Sequence, residues 1–237
     1  MMKIALVTGA AKGIGRTIAL TLAQQGFDVA VHYHRSETAA QQTVADLRAH
    51  QVQAIALAAD VTHPPAVQTL VDTVVEKFGG LSVVVNNVGN YCKRPIDELT
   101  IAEWHEILDT NLNATFYVTQ AALPHLKAAG WGRIINLGFA GAQNLIARTQ
   151  ITPYAIAKTG VILYTKALAK QLAAHQITAN VVAPGVIETS VSQPLTQIPI
   201  GRMATVQEVA QVVDFLVAPE AGYYTGQVIE VAGGWNL

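Results

Sequence analysis

The sequence predicts an α/β fold: one doubly wound, parallel seven-stranded sheet with helices on both faces. Three observations lead there. Short apolar runs alternate with longer stretches of helical period, the runs are apolar at successive residues, and the first run ends in a glycine-rich turn that opens a helix. A strand that is apolar on both sides has to be covered on both sides, which suits a parallel sheet linked by helices. Each strand–helix–strand crossover packs right-handed, so repeated units wind outward in two layers.

The runs at residues 4–7, 29–33, 54–57, 81–85, 133–137, 178–182 and 228–231 read as the strands. Ala-, Leu- and Gln-rich segments between them, such as 14–25 and 36–50, read as helices. No Pro/Ser linker, charge block or low-complexity tract divides the chain, so residues 1–237 are expected to form one domain. The Gly- and Pro-richer stretch 184–202 reads as a loop over a substrate.

Composition sets the outer limits. With 51% hydrophobic and 13% charged residues, the chain can bury a sizeable core. A net charge of -1 provides no field to hold nucleic acid or an anionic membrane. The lone Cys92 cannot close an intrachain disulfide, and no apolar stretch reaches the roughly 20 residues of a membrane span. A cytoplasmic enzyme of a small molecule is the expectation, with no metal ligand set.

The first strand runs into Thr8-Gly9-Ala10-Ala11-Lys12-Gly13-Ile14-Gly15. Glycines there allow a tight turn and let a helix N-terminus meet a pyrophosphate with no side chain between. Asp60-Val61 closes the third strand, Asn86-Asn87-Val88-Gly89 the fourth, and Pro184, Gly185, Ile187 and Thr189 follow the sixth. Tyr154 and Lys158 lie four residues apart, on one face of a helix.

In this order the motifs resemble the short-chain dehydrogenase/reductase family over nearly the whole chain, with its Rossmann-type fold. The resemblance implies that the glycine turn binds a dinucleotide and that Asp60 meets the adenine. It places Asn87 and Gly89 beside the cofactor and the Pro184–Thr189 segment (184–189) on the nicotinamide carboxamide. It makes Tyr154 the general acid/base, gives Lys158 the nicotinamide ribose as well, and has Asn111 orient a proton-relay water. Physically, an ammonium beside a phenol favours the phenolate and is expected to lower its pKa.

The choice of dinucleotide follows from charge. NAD binders place an acid at the end of the second strand, where this chain reads His34-Arg35-Ser36. A carboxylate would repel a 2′-phosphate, whereas Arg35 can pair with it, and Lys12 adds a second cation. NADPH is therefore the expected cofactor.

One position departs from the family. The serine that hydrogen-bonds a substrate carbonyl is replaced by Phe139, which has no donor. Gln143, Asn144 or Thr149 could substitute, and the insertion-like stretch 143–152 is expected to shape the pocket. The pteridine reductases also lack that serine. The stretch His32-Tyr33-His34-Arg35-Ser36 resembles their 2′-phosphate element, and Tyr91 falls where they carry a stacking ring. They differ in often having an arginine at Gly13 and an aspartate at Phe139. These features rank reduction of a pteridine or dihydrofolate-like C=N bond first, with Tyr91 and Phe139 against the substrate. Carbonyl reduction, including 3-oxoacyl thioesters, is the alternative, and a non-catalytic NADPH-binding protein is the third reading. Apolar segments 114–126 and 160–172, with a second contact at the tail around Trp235, point to a homotetramer.

Overall fold

Every strand expected from the sequence is present, with ends displaced by no more than two residues. The computed structural model describes residues 2–190 and 193–236; Met1 and Leu237, part of the expected domain, and Val191 and Ser192, part of the expected loop, lie outside the described residues. The strands are β1 (Ile4–Val7), β2 (Asp28–Tyr33), β3 (Ala54–Ala58), β4 (Val83–Asn86), β5 (Gly132–Leu137), β6 (Ile177–Pro184) and β7 (Val228–Val231). The helices are α1 (Gly13–Gln24), α2 (Glu37–Arg48), α3 (Pro64–Phe78), α4 (Ile101–Leu108), α5 (Ala114–Ala128), α6 (Thr152–Leu172) and α7 (Val206–Val217).

The strands form one parallel sheet in the order β3-β2-β1-β4-β5-β6-β7. Alternate residues face opposite sides, and both sides are apolar. Ala5, Val7, Val29, Val31, Val83 and Val85 pack with Ile18 and Leu22 of α1, Val44 and Leu47 of α2, and Val213 and Leu216 of α7. Ile4, Leu6, Ala30, Val84 and Ile134 pack with Val71 and Val74 of α3, Val118 and Leu126 of α5, and Leu172 of α6. Full burial of each of these Val, Leu and Ile side chains stabilises the fold by about 1.5–3 kcal/mol. Polar side chains are buried on the strands too, among them His32, Asn86, Asn136, Asn180 and Arg133. Arg133 is buried on β5 with its guanidinium over the Trp131 ring at 4.4 Å and donates to the Gly132 carbonyl.

Strand order reverses between β1 and β4, which opens a crevice at their C-terminal ends. The glycine turn and the Asn86–Gly89 segment (86–89) meet there. β6 runs on to Pro184 because residues 181–184 pair with β7. Pro184 lacks an N–H, but its carbonyl accepts from Ala140 N–H at 3.1 Å. A π-helical turn, Asp109–Asn113, joins α4 to α5 and carries Asn111. No helix of the described residues is long and apolar enough to cross a membrane.

Candidate active site

The glycine turn is built for close approach. Gly13 has φ +59°, a left-handed conformation that side chains resist, while a Cβ on Gly15 would strike the Gly9 carbonyl and come within 2.6 Å of Asn87 Nδ2. Asn87 Nδ2 donates to the carbonyls of Thr8 at 2.9 Å and Gly9 at 3.2 Å, which ties the end of β4 to the turn. Ile14 is half-buried in the first turn of α1 behind it.

His32 braces the same turn, a role that sequence reasoning missed. The Gly9 N–H donates to His32 Nδ1 at 3.0 Å, and His32 Nε2 lies 3.1 Å from the Ala59 carbonyl. These partners assign the neutral tautomer with its proton on Nε2. Burial brings the imidazole pKa down to about 4, so it stays neutral at ordinary pH. A polar ring inside an otherwise apolar strand was the available signal.

Lys12 and Arg35 are both exposed, and neither forms an ion pair among the described residues. Lys12 is the N-cap residue of α1, and Ser36 that of α2, where its hydroxyl makes no capping bond. Two unpaired cations at the ends of β1 and β2 are the charge a 2′-phosphate requires. His34 turns toward Asp60, with Nε2 3.9 Å from Oδ2, and His63 stands 3.6 Å from the same oxygen. Burial opposes the charged form of Asp60, but hydrogen bonds from Thr62 and the nearby imidazoles outweigh it and hold the carboxyl below its ordinary value. Val61 beside it is buried.

Three elements converge around Gly89. Tyr154 and Lys158 are one turn apart on α6, with Lys158 Nζ 5.6 Å from the Tyr154 ring centre. Lys158 is buried and donates to the Leu137 carbonyl at 2.8 Å. Asn111 is fully buried, and its Nδ2 donates to the carbonyls of Asn90 at 2.8 Å and Ile107 at 3.0 Å. Its Oδ1 has no partner among the described residues and abuts Gly89, where a Cβ would collide with it and stand 3.4 Å from Lys158 Nζ. A buried acceptor left free beside an ammonium is what a bound water needs.

Protonation runs against the sequence-based expectation. The ammonium does not bring the phenol down. Burial, with the Tyr91 phenol next, raises Tyr154 well above its ordinary value, and burial brings Lys158 down to about 8. The reason is packing. Tyr91 lies edge-on to the Tyr154 ring at 5.2 Å and Phe139 at 5.4 Å, so a phenolate there would be poorly hydrated.

Phe139 does not offer an open stacking face. It is buried, edge-on to Trp235 at 5.8 Å as well as to Tyr154, and packed with Ile162 and Val181. Tyr91 is partly exposed at the rim. The expected stand-ins for the serine are not at the site either. Gln143 Nε2 donates to Glu230 at 3.2 Å, Asn144 Nδ2 donates to the Asn236 carbonyl at 2.8 Å, and Thr149 is exposed. The insertion instead brings Arg148 over Phe139, 5.1 Å from the ring centre. Trp235, where the sequence suggests a subunit contact, packs edge-on against Phe139.

Beyond β6, Gly185 N–H donates to the Val231 carbonyl at 2.9 Å, and Gly185 lies against Ala232 and Trp235. Ile187 is buried, with its N–H on Ser190 Oγ at 3.0 Å, while Thr189 is exposed beside the undescribed pair.

The chain is similar to known proteins along nearly its whole length. The family described as enoyl-(acyl carrier protein) reductase matches residues 9–236. The chain is 39% identical to the 3-oxoacyl-[acyl-carrier-protein] reductase of Staphylococcus aureus, covering 100% of this chain and 99% of that relative. Acetoin dehydrogenase from Salmonella typhimurium superposes with a TM-score of 0.91 at 32% identity, covering 99% and 96% of the two chains. A blue fluorescent protein from a metagenomic library, solved in complex with NADPH, has a TM-score of 0.93 at 33% identity and coverages of 99% and 98%. The chain belongs to the short-chain dehydrogenase/reductase family of oxidoreductases.

Proposed function

We propose that this protein is an NADPH-dependent carbonyl reductase acting on 3-oxoacyl thioesters. The observation that carries it is the convergence of Tyr154, Lys158 and Asn111 beside the glycine turn; the likeness to 3-oxoacyl reductases along the whole chain favours the substrate class. Bound NADPH supplies the hydride for the carbonyl carbon. Tyr154 Oη gives its proton to the carbonyl oxygen, which becomes the alcohol. Lys158 stabilises the phenolate left behind, and a water on Asn111 Oδ1 returns a proton to it. Gly9, Gly13, Ile14 and Gly15 cradle the pyrophosphate, and Lys12, His34, Arg35 and Ser36 take the 2′-phosphate. Asp60 and Val61 flank the adenine. Asn87, Gly89, Pro184, Gly185, Ile187 and Thr189 hold the nicotinamide end.

Reduction of a pteridine or dihydrofolate-like C=N bond, ranked first on sequence, moves to second place. The aromatic wall of Tyr91, Phe139 and Trp235 favours it. Against it, Phe139 is buried and packed edge-on against both Tyr154 and Trp235, so it has no open face for a flat ring.

NADPH absorbance should be followed with acetoacetyl thioester, a dihydropteridine and dihydrofolate. The thioester is expected to give the highest kcat/KM, and a dihydropteridine winning that comparison would reverse the ranking. NADPH should bind about tenfold or more tightly than NADH, a difference of about 1.4 kcal/mol, and Arg35→Ala should erase most of it. Equal affinity in the wild type would overturn the cofactor assignment.

The proposal extends to self-association through α5 and α6. Phe116 and Leu163 are exposed on these helices, and Phe116 clusters with Tyr117 and Tyr164 at 5.8 and 5.7 Å. Sedimentation at micromolar concentration should give a tetramer; a monomer there would refute it.

A further inference from the structure

Phe139 brings no hydroxyl to anchor a substrate carbonyl, yet beside it stands a cation whose side chain has no hydrogen-bond partner among the described residues. Arg148 lies in the middle of the 143–152 insertion, and its backbone is pinned there. The carbonyl of Arg148 accepts from Thr152 Oγ1 at 2.9 Å and from Ile151 N–H at 3.2 Å. Its guanidinium lies on Phe139, whose ring in turn touches Tyr154. Arginine thus stands one ring removed from the phenol that donates the proton.

No described acceptor meets its side-chain N–H groups. Nη2 is buried without a partner, against Gly141. Glu230 is also near Gly141: its Oε1 accepts from Gly141 N–H at 2.9 Å and from Gln143, its Oε2 is buried without a partner among the described residues, and it lies beyond ion-pair distance of Arg148. A guanidinium five donors strong, laid on an aromatic ring and beyond ion-pair distance of every described acid, has N–H groups to offer an acceptor oxygen from outside the chain.

We propose that Arg148 is a specificity-determining residue that grips a second acceptor oxygen of the substrate, two carbons from the carbonyl being reduced. This rests on the carbonyl-reductase reading. The oxygen belongs to the thioester of a 3-oxoacyl chain or to the carboxylate of a 3-oxo acid, which share that spacing. Anchoring at this oxygen takes over from the hydroxyl that Phe139 displaces.

The test compares acetoacetyl thioester, acetoacetate and a methyl ketone of equal chain length, in wild type, Arg148→Met and Arg148→Lys. Melting temperature and NADPH affinity monitor folding. In Arg148→Met, kcat/KM for a two-oxygen substrate relative to the ketone should fall about tenfold or more, the loss expected of one charge-assisted hydrogen bond, and chiefly through KM. Arg148→Lys should recover part of it. A fall for both two-oxygen substrates assigns any acceptor oxygen, and a fall for acetoacetate alone assigns the carboxylate. A wild type active on these substrates whose ratio changes by less than about threefold in Arg148→Met overturns the assignment of Arg148 alone. A wild type that reduces no 3-oxo substrate overturns the carbonyl reading, and this assignment with it.

Discussion

Replacing Tyr154 with phenylalanine is expected to lower kcat by about 10²–10⁴-fold, the usual contribution of a positioned general acid. The ring would keep its edge-on contacts with Tyr91 and Phe139, so the pocket should hold its shape. Only Oη is lost, and with it the proton that the new alkoxide requires. NADPH affinity should change little, because the proposed dinucleotide contacts lie mainly in the glycine turn and on Lys12 and Arg35. Burial keeps the Tyr154 phenol protonated through the neutral range, the state a proton donor requires. Steady-state turnover with the best 3-oxo substrate, together with NADPH titration, tests this. A variant within about tenfold of wild-type kcat would remove Tyr154 from the proton path.

Lys158→Met is expected to abolish turnover while making the protein more stable at pH 7. Burial lowers Lys158 from 10.5 to about 8, so folding at neutral pH buries a charge that water would rather keep. The sign follows from linkage. Because the folded pKa is depressed, the unfolded chain binds more protons between pH 8 and 10.5, and stability rises across that window. Above it the cost is absent; below pH 8 it is present in full. The shift corresponds to a penalty of about 3 kcal/mol at neutral pH. Methionine has similar volume and no charge, but it leaves the Leu137 carbonyl without its donor, at about 1–2 kcal/mol. A net gain of about 1–2 kcal/mol should remain. Urea unfolding at pH 7 and pH 10 measures it: wild type should gain stability between the two, and the variant should not. A variant less stable than wild type at pH 7 would show that the ammonium supports the fold rather than straining it.

What could be read from sequence was what depends on near neighbours. Apolar residues at successive positions imply a strand covered on both sides, and the strands formed where those runs lie. Tyr154 and Lys158 share a helix face because the helix repeats every few residues. The glycine turn needs Gly13 for its left-handed φ and Gly15 for close approach, both demands of local backbone geometry. Strand ends were less legible. β6 extends to Pro184 only because β7, far along the chain, offers it partners.

The site's electrostatics and its walls were decided by the tertiary structure. Sequence spacing puts an ammonium near a phenol and so predicts a lowered pKa, but the rings of Tyr91 and Phe139 enclose that phenol and burial prevails. Phe139 read as a surface for a flat substrate, but Trp235, Ile162 and Val181 take it into the core. His32 reads as one polar residue in an apolar strand until the Gly9 N–H and the Ala59 carbonyl close on its two nitrogens. Arg148 reads as a loop cation until the insertion folds it onto Phe139. In each case the partner is remote in sequence, and burial depends on all the surrounding groups at once. The sequence by itself therefore determined the sheet, the glycine turn and the Tyr154–Lys158 spacing, which are properties of local periodicity. Which groups are desolvated around the phenol, and which cation faces it, only the packed chain decided, because desolvation is set by neighbours that folding brings together.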